Sequence, residues 1–368
     1  MTDDAPAPDA SELERLGLCD PAAPDAPDRL ELIHLALQRG ATLEDVAAAP
    51  NLGELVLDMT LRPRGPLPLR EVAEAAGLPW PTTVRLMTAA GLPTDPDFPV
   101  TADEAASVRL FAGAHNALLG DEATLQLARV TGNAVTRLAE TLVGVFRLRV
   151  ELPRRAAGKP YIDVVREYSE LTETMLPNFV ATLDAVLRRQ IVAVAERMWS
   201  TDAEQSVVTV RRTVGFVDLV GYTTATASLS LRELTDVLVE FDLRTSEIVA
   251  RGHGQIVKTI GDEAMFVTED AADACRIALE LIAATGGTLP PVRVGVATGE
   301  MASVFGDLYG PDVNLAARLV GAAEPSTAVV SEGIRAAASG CSFERLPPLT
   351  LKGFADPVTA YRIVPAAP

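Results

Sequence analysis

The chain has 368 residues, 48% of them hydrophobic and 22% charged, with a formal net charge of −18. Single cores rarely grow much past ~250 residues, so two domains are expected. Both halves are acidic, which argues against a surface built to neutralise nucleic-acid phosphates or anionic lipid, but leaves room for compact phosphate ligands held through divalent cations.

The N-terminal MTDDAPAPDASE is the opposite of a secretory signal. No stretch approaches ~18 uncharged apolar residues, so no membrane span is expected. Cys19, Cys275 and Cys341 lack metal or redox spacing. Together these features point to a reducing compartment and a cytoplasmic protein.

In chain order, residues 1–28, with the PAAPDAPD run, read as a mobile segment. Residues 29–178 read as an Ala-rich all-α domain, its short helices punctuated by Gly and Pro, as in DRLELIHLALQRG and LREVAEAAGLP. After Pro177 a helix over 179–199 sets Phe179, Leu183, Val186, Leu187, Ile191, Val194 and Met198 at three- and four-residue spacing, one continuous stripe. Such a helix either packs in the ordinary way or carries movement through the polar WSTDAEQ link. Residues 179–205 are therefore read as a connecting or switch helix and linker. Over 206–368 strand and helix patterns alternate around a central hairpin, QIVKTI/EAMFV. Further strands are expected at VVTVRRTVGFVDLV, VRVGVATG, TAVVS, LTLKG and VTAYRIV. This pattern predicts an α+β domain of ferredoxin-like or palm type, with a mixed, mainly antiparallel sheet and flanking helices.

Three carboxylates in this second part are not asked for by local structure. Asp218 ends an apolar strand before a glycine, Asp262 sits on the hairpin turn, and Asp307 precedes a helix. Carboxylates at neighbouring strand ends suit hard divalent cations, and two such cations suit phosphoryl or nucleotidyl transfer. Taken singly, Asp262 reads as a turn residue and Asp218 as a helix N-cap.

Four ordered motifs, FVDLVGYT, VKTIGDEAMF, VRVGVATGE and GDLYGPDVNLAARL, give the region from Val214 to about Val364 a resemblance to the class III nucleotidyl cyclase catalytic domain. The resemblance implies an adenylate cyclase that closes ATP to 3′,5′-cyclic AMP and pyrophosphate. It implies Asp218 and Asp262 as ligands of two divalent cations per site, Mg²⁺ or Mn²⁺. Lys258 and Asp307 would select adenine, whose acceptor and donor match a lysine and a carboxylate while guanine offers the reverse. Arg293 would contact the triphosphate, and backbone groups at Val220, Gly221, Tyr222 and Thr223 would cradle phosphate. Asn314 would orient the ribose, and Arg318 would stabilise the transition state from the same helix face. The family builds each site from two subunits, which implies a homodimer with two equivalent sites.

The helical half resembles, by domain order, the autoinhibitory, pH-responsive domains of soluble actinobacterial cyclases. That implies a regulatory domain, with a fatty-acid-type ligand as a candidate partner lined by apolar residues of 105–150. Candidate pH-sensing histidines are His34, His115 and His253. A rival reading takes PLREVAEAAGLPWPTTVRLMTAAGLP (68–93), with Thr82, Thr83 and Arg85 near the start of its second helix, as resembling the winged helix-turn-helix of a MerR-type, DNA-binding regulator. A third is a nucleotide-binding sensor without turnover.

Overall fold

The computed structural model describes residues 8–62, 67–198, 209–222, 229–286, 289–304 and 306–365. The chain divides into two units, Met1–Ile191 and Val192–Pro368. The WSTDAEQ link lies outside the described residues.

In the first unit, capping chemistry sets where helices start. Helix α1 (Ala10–Arg15) begins on Asp9, whose carboxylate accepts from the Glu12 N–H. Helices α3 (Leu43–Ala48) and α7 (Ala102–Ala114) open on the capping boxes of Thr42 with Asp45 and Thr101 with Glu104. Helices α2 (Ala26–Gln38) and α4 (Leu52–Leu61) share a core with α1 and α3, built on Leu13, Ile33, Val46 and Val56. A second core, with Leu69, Leu86, Val108 and Ala128, joins α5 (Leu69–Ala75), α6 (Trp80–Ala90), α7 and α8 (Gly120–Phe146). The short α9 (Leu152–Ala156) and the 38-residue α10 (Tyr161–Met198) follow.

Three expectations change here. The segment 1–28, expected to be mobile, is built into the fold from Asp9 onward: Leu13 is fully buried, and Arg29 Nε donates to the Leu18 carbonyl at 2.6 Å. Two well-placed leucines outweigh a Pro/Ala-rich composition. A two-residue ladder, β1 (Leu67–Pro68) against β2 (Pro99–Val100), stands where no strand was expected, too short to show alternation. Finally, the helix expected after Pro177 is only the C-terminal half of α10, which runs through that proline. Proline withdraws one N–H from the ladder, and next to it the Asn178 side-chain amide donates to the Thr174 carbonyl at 3.0 Å.

The stripe on α10 is solvent-facing in the single chain. Leu183, Val186, Leu187, Ile191 and Val194 are each 40–57% exposed. Periodicity reveals an amphipathic helix but not what covers it.

The 68–93 helix-turn-helix is α5 and α6. Thr83 is buried and its hydroxyl donates to the Pro79 carbonyl, while Arg70 stacks over Trp80 at 4.6 Å. A Cβ on Gly132 of α8 would stand 2.5 Å from the Ala90 carbonyl oxygen, so the end of α6 lies directly against α8. Thr83 and Arg70 are thus used inside the unit.

A π-helical turn, His115–Leu119, joins α7 to α8. His115 Nε2 lies 2.5 Å from Asp121 Oδ1 and Nδ1 lies 2.9 Å from Asn116 Oδ1, with Arg85 3.6 Å from the Asp121 carboxylate. Two acceptors on one ring demand two protons, and these bonds, Asn116 first, raise the imidazole above its ordinary value. A raised histidine stabilises the fold fully below its unfolded pKa of about 6.5, and that stability is lost as pH rises through the folded pKa. Wild type is therefore expected to melt above H115Q at pH 6, with the gap closing toward pH 8 in thermal scans. A gap that persists at pH 8 would refute the pairing. Of the other histidines, His34 Nε2 sits 2.9 Å from the Pro8 carbonyl, and His253 takes a left-handed turn conformation (φ 62°).

The second unit holds an eight-stranded sheet, ordered β4-β5-β3-β6-β8-β10-β9 with β7 paired to β6. Its centre is β3 (Thr209–Leu219) antiparallel to β6 (Val292–Val304), in register from Thr209↔Ala302 to Leu219↔Val292. The hairpin of β4 (Gln255–Ile260) and β5 (Glu263–Thr268) adds to β3, and β7 (Asp307–Tyr309) folds back on β6. On the other side are β8 (Ala328–Ser331), β9 (Ser342–Arg345) and β10 (Ala360–Val364). Among the described strands only β6–β8 is parallel, so the sheet is mixed and mainly antiparallel. One face carries Val217, Leu219, Phe266, Val294 and Val296 against α11 (Leu231–Arg251) and α12 (Ala271–Ala283). The opposite face carries Val214, Phe216, Met265, Ala297 and Met301 against α13 (Pro311–Ala322). A short helix, α14 (Glu332–Ala337), follows β8.

LTLKG is not a strand. It makes one isolated bridge, Leu349↔Val358, and turns at Gly353 (φ 94°); the edge strand is β9, which the sequence did not reveal. Cys275 and Cys341 are distant in sequence yet meet in space: burial, and then Cys341, push the Cys275 thiol well above the usual range.

Candidate active site

Strand alternation puts Asp218 on the sheet face that carries α13, and register fixes its neighbours. Asp218 lies opposite Glu263 of β5 on one side and Arg293 of β6 on the other, so three charged side chains form a row across three strands. Arg293 Nε is 2.6 Å from Asp218 Oδ2, and its NH1 reaches the Gly321 carbonyl at 3.4 Å. Asp262 follows Gly261, whose φ of 62° makes the tight turn. Its carbonyl accepts from the Leu219 N–H at 3.1 Å, tying the hairpin turn to the end of β3.

Burial raises the Asp262 carboxyl, and the Asp218 charge adds to the effect. Glu263 is raised too, by burial first and then by Asp218 and Asp262. In the sequence, adjacency to Asp262 is the one signal that marks Glu263. Carboxylates that repel one another at a strand end form a hard, all-oxygen donor set that fits Mg²⁺ or Mn²⁺. Among the described residues no three His, Cys, Asp or Glu side chains yet converge on one point. Asp218 is turned to Arg293 instead.

A second group forms along β4 and β7. The β4–β5 register shifts between Ile256 and Lys258. Ile256 packs with the α11/α12 core, Val257 with the α13 core, and Lys258 pairs with Met265. A bulge of this kind re-aims a side chain, and here it brings Lys258 Nζ to 2.5 Å from Asp307 Oδ2. Burial opposes ionisation of Asp307, but the Lys258 ammonium and the Leu308 N–H outweigh it and hold the carboxyl below its ordinary value. The pair is partly exposed, 35% and 27% by side chain, and so open to a ligand.

The third element is α13. It starts after Gly310 with Pro311 in its first turn, and Asn314 and Arg318 stand exposed one turn apart. Beneath it, β6 presents Gly295, Ala297 and Gly299. A Cβ on Gly295 would stand 2.2 Å from the Val320 nitrogen and 2.4 Å from the Ala316 oxygen, both helix backbone. A Cβ on Gly299 would meet the Asp312 carboxylate at 1.8 Å. The glycines of VRVGVATGE thus let α13 lie on the strand, and they set the height of Asn314 and Arg318 above the sheet.

The phosphate cradle needs a correction. Val220 donates its N–H to the Pro291 carbonyl at 2.8 Å, because the chain must close against the start of β6. Only Gly221, in the left-handed region (φ 77°), and Tyr222, packed on the core, remain of the described candidates. Thr223 lies outside the described residues.

In the first unit, a cavity of ≈500 Å³ is lined by Leu57, Phe146, Arg147, Arg155, Tyr161 and Tyr168 among others. Of the 105–150 stretch expected to line a ligand pocket, only Val143, Phe146 and Arg147 take part.

Residues 10–193 match the adenylate cyclase regulatory domain, and residues 203–364 match the adenylate and guanylate cyclase catalytic domain. An uncharacterized protein of Mycobacterium tuberculosis is 30% identical over 370 residues, covering 96% of this chain and 94% of its own length. An adenylate cyclase of Streptomyces coelicolor is 35% identical over 234 residues, covering 63% of this chain and 60% of its own. A pH-sensitive adenylate cyclase of Mycobacterium tuberculosis is 26% identical over 381 residues, covering 99% and 94%. With both domains matched in order and a relative aligned along nearly its whole length, the chain belongs to the class III adenylate cyclase family, a regulatory domain followed by a cyclase catalytic domain.

Proposed function

We propose that the chain converts ATP to 3′,5′-cyclic AMP and pyrophosphate, at two equivalent sites of a homodimer. The observation that carries this reading is the Lys258–Asp307 pair, a donor and an acceptor held 2.5 Å apart and partly exposed. Adenine presents the matching acceptor and donor; guanine would set donor against donor and leave buried groups unpaired. Asp218 and Asp262 would hold two divalent cations, which when bound supply Lewis-acid activation of the ribose 3′-hydroxyl and neutralise the triphosphate. Arg293 would take a triphosphate oxygen. Asn314 would orient the ribose for in-line attack on the α-phosphorus, and Arg318, planar and always charged, would meet the charge that develops there.

Lys258 and Asp262 sit on one hairpin, yet the reading assigns them to different sites, one on each side of the dimer. The exposed stripe of α10, with Ile191 at 57%, supports assembly, because a single chain leaves it uncovered. The helical unit is read as the regulator of the catalytic one, with α10 as the element that switches and the ≈500 Å³ cavity as the place for a fatty-acid-type ligand.

The substrate assignment is tested by Lys258→Glu. The kcat/KM ratio of ATP over GTP is expected to fall by about tenfold or more, while divalent-cation binding stays that of the wild type. An unchanged ratio would remove Lys258 from base selection.

A further inference from the structure

We infer that Arg293 guards the metal site: in the nucleotide-free protein its guanidinium is the resident counter-cation of Asp218, and it must leave that carboxylate before a divalent cation can bind there. The inference rests on the proposed role of Asp218 as a metal ligand, and goes beyond it by giving Arg293 two successive partners.

The geometry is specific. Asp218 and Arg293 are direct cross-strand neighbours in the central ladder, so backbone register, not chance side-chain reach, sets them together. Nε and NH2 both lie 2.6 Å from the same oxygen, Oδ2, short enough for charge-assisted hydrogen bonds. The Asp218 side chain is only 13% exposed. Water therefore screens the pair poorly, and one of the two carboxylate oxygens is already taken by the guanidinium. NH1 is anchored separately on the Gly321 carbonyl at the end of α13. Asp262 and Glu263 stand close enough to feel the Asp218 charge. A triphosphate offers Arg293 a richer set of anionic oxygens than one carboxylate does, and its arrival would free Asp218. Arg293 thus competes with the cation, and the site binds metal weakly without nucleotide and tightly with it.

The test is a titration of full-length, nucleotide-free protein with Mn²⁺ alone, following free Mn²⁺ by electron paramagnetic resonance. R293Q is expected to bind Mn²⁺ at least about tenfold more tightly than wild type, the scale of one charge-assisted contact. D218N is expected to lose that site. R276Q removes the same charge from an exposed position on α12 and is expected to match wild type. Should R293Q fail to fold, R293M keeps the stem without the head and reads the same quantity. Wild-type affinity in the Arg293 variants, with the site still lost in D218N, overturns the guard alone. Equal gains in R276Q and R293Q overturn it in favour of bulk charge. Unchanged binding in D218N overturns both the guard and the metal-ligand reading.

Discussion

Purified D218A is expected to lose cyclase activity by about 10³-fold or more, since under the proposed mechanism it removes a ligand of the activating cations. K258A is expected to be impaired through its hold on the base. Mixed in equal amounts and allowed to exchange subunits, the two should recover activity to about a quarter of wild type. Half of randomly paired dimers are mixed, and each mixed dimer has one intact site and one doubly damaged site. The arithmetic follows from the proposal that Lys258 and Asp262 serve different sites although they share one hairpin. Recovery measured as cyclic AMP formed per mole of protein decides the matter. No recovery on mixing, with exchange verified by tagged subunits, would mean that each chain builds its own complete site.

Gly295→Ala is expected to slow catalysis without touching any residue that meets substrate. Its Cβ would press on the backbone at Ala316 and Val320, 2.2–2.4 Å away, and backbone cannot swing aside as a side-chain tip can. Overpacking of this kind costs about 1–3 kcal/mol. Relief comes by lifting α13, which carries Asn314 and Arg318. If these two act in the transition state as proposed, a displacement near 1 Å costs roughly 10²-fold in kcat. The expected result is a kcat reduced by about 10- to 100-fold, with the melting temperature lowered by several degrees. Gly299→Ala is the comparison. Its clash is with the Asp312 carboxylate, which can rotate away, so its effect on kcat should be clearly smaller. Equal effects at the two positions, or no effect at Gly295, would show that α13 does not depend on this contact for its place.

How much is legible in the residues alone depends on the kind of feature. The β4–β5 hairpin, the central strand ending at Asp218 and the helix with Asn314 and Arg318 were legible, because apolar alternation, a Gly-Asp turn and three- to four-residue spacing are local. The bulge at Val257 was not, because a register shift belongs to a pair of strands rather than to one. Glu263 went unnoticed for the same reason: only the ladder sets it opposite Asp218. The free-looking N–H of Val220 proved to be spent on Pro291, a partner 71 positions away in the numbering. In the first unit, Leu13 was hidden in a Pro/Ala-rich background, and LTLKG resembled a strand until its glycine turned.

By itself, then, the sequence determined the two-part organisation, the all-α and α+β classes and the identity of the charged residues worth watching. These follow from composition, periodicity and short motifs, which act within a few residues of each other. Only the tertiary structure decided how those charges are paired. Lys258 meets Asp307 across 49 positions, and Asp218 meets Arg293 across 75. Such pairings arise where sheet register and a glycine-lined helix contact bring distant segments together, and neither is encoded at the position of any one residue.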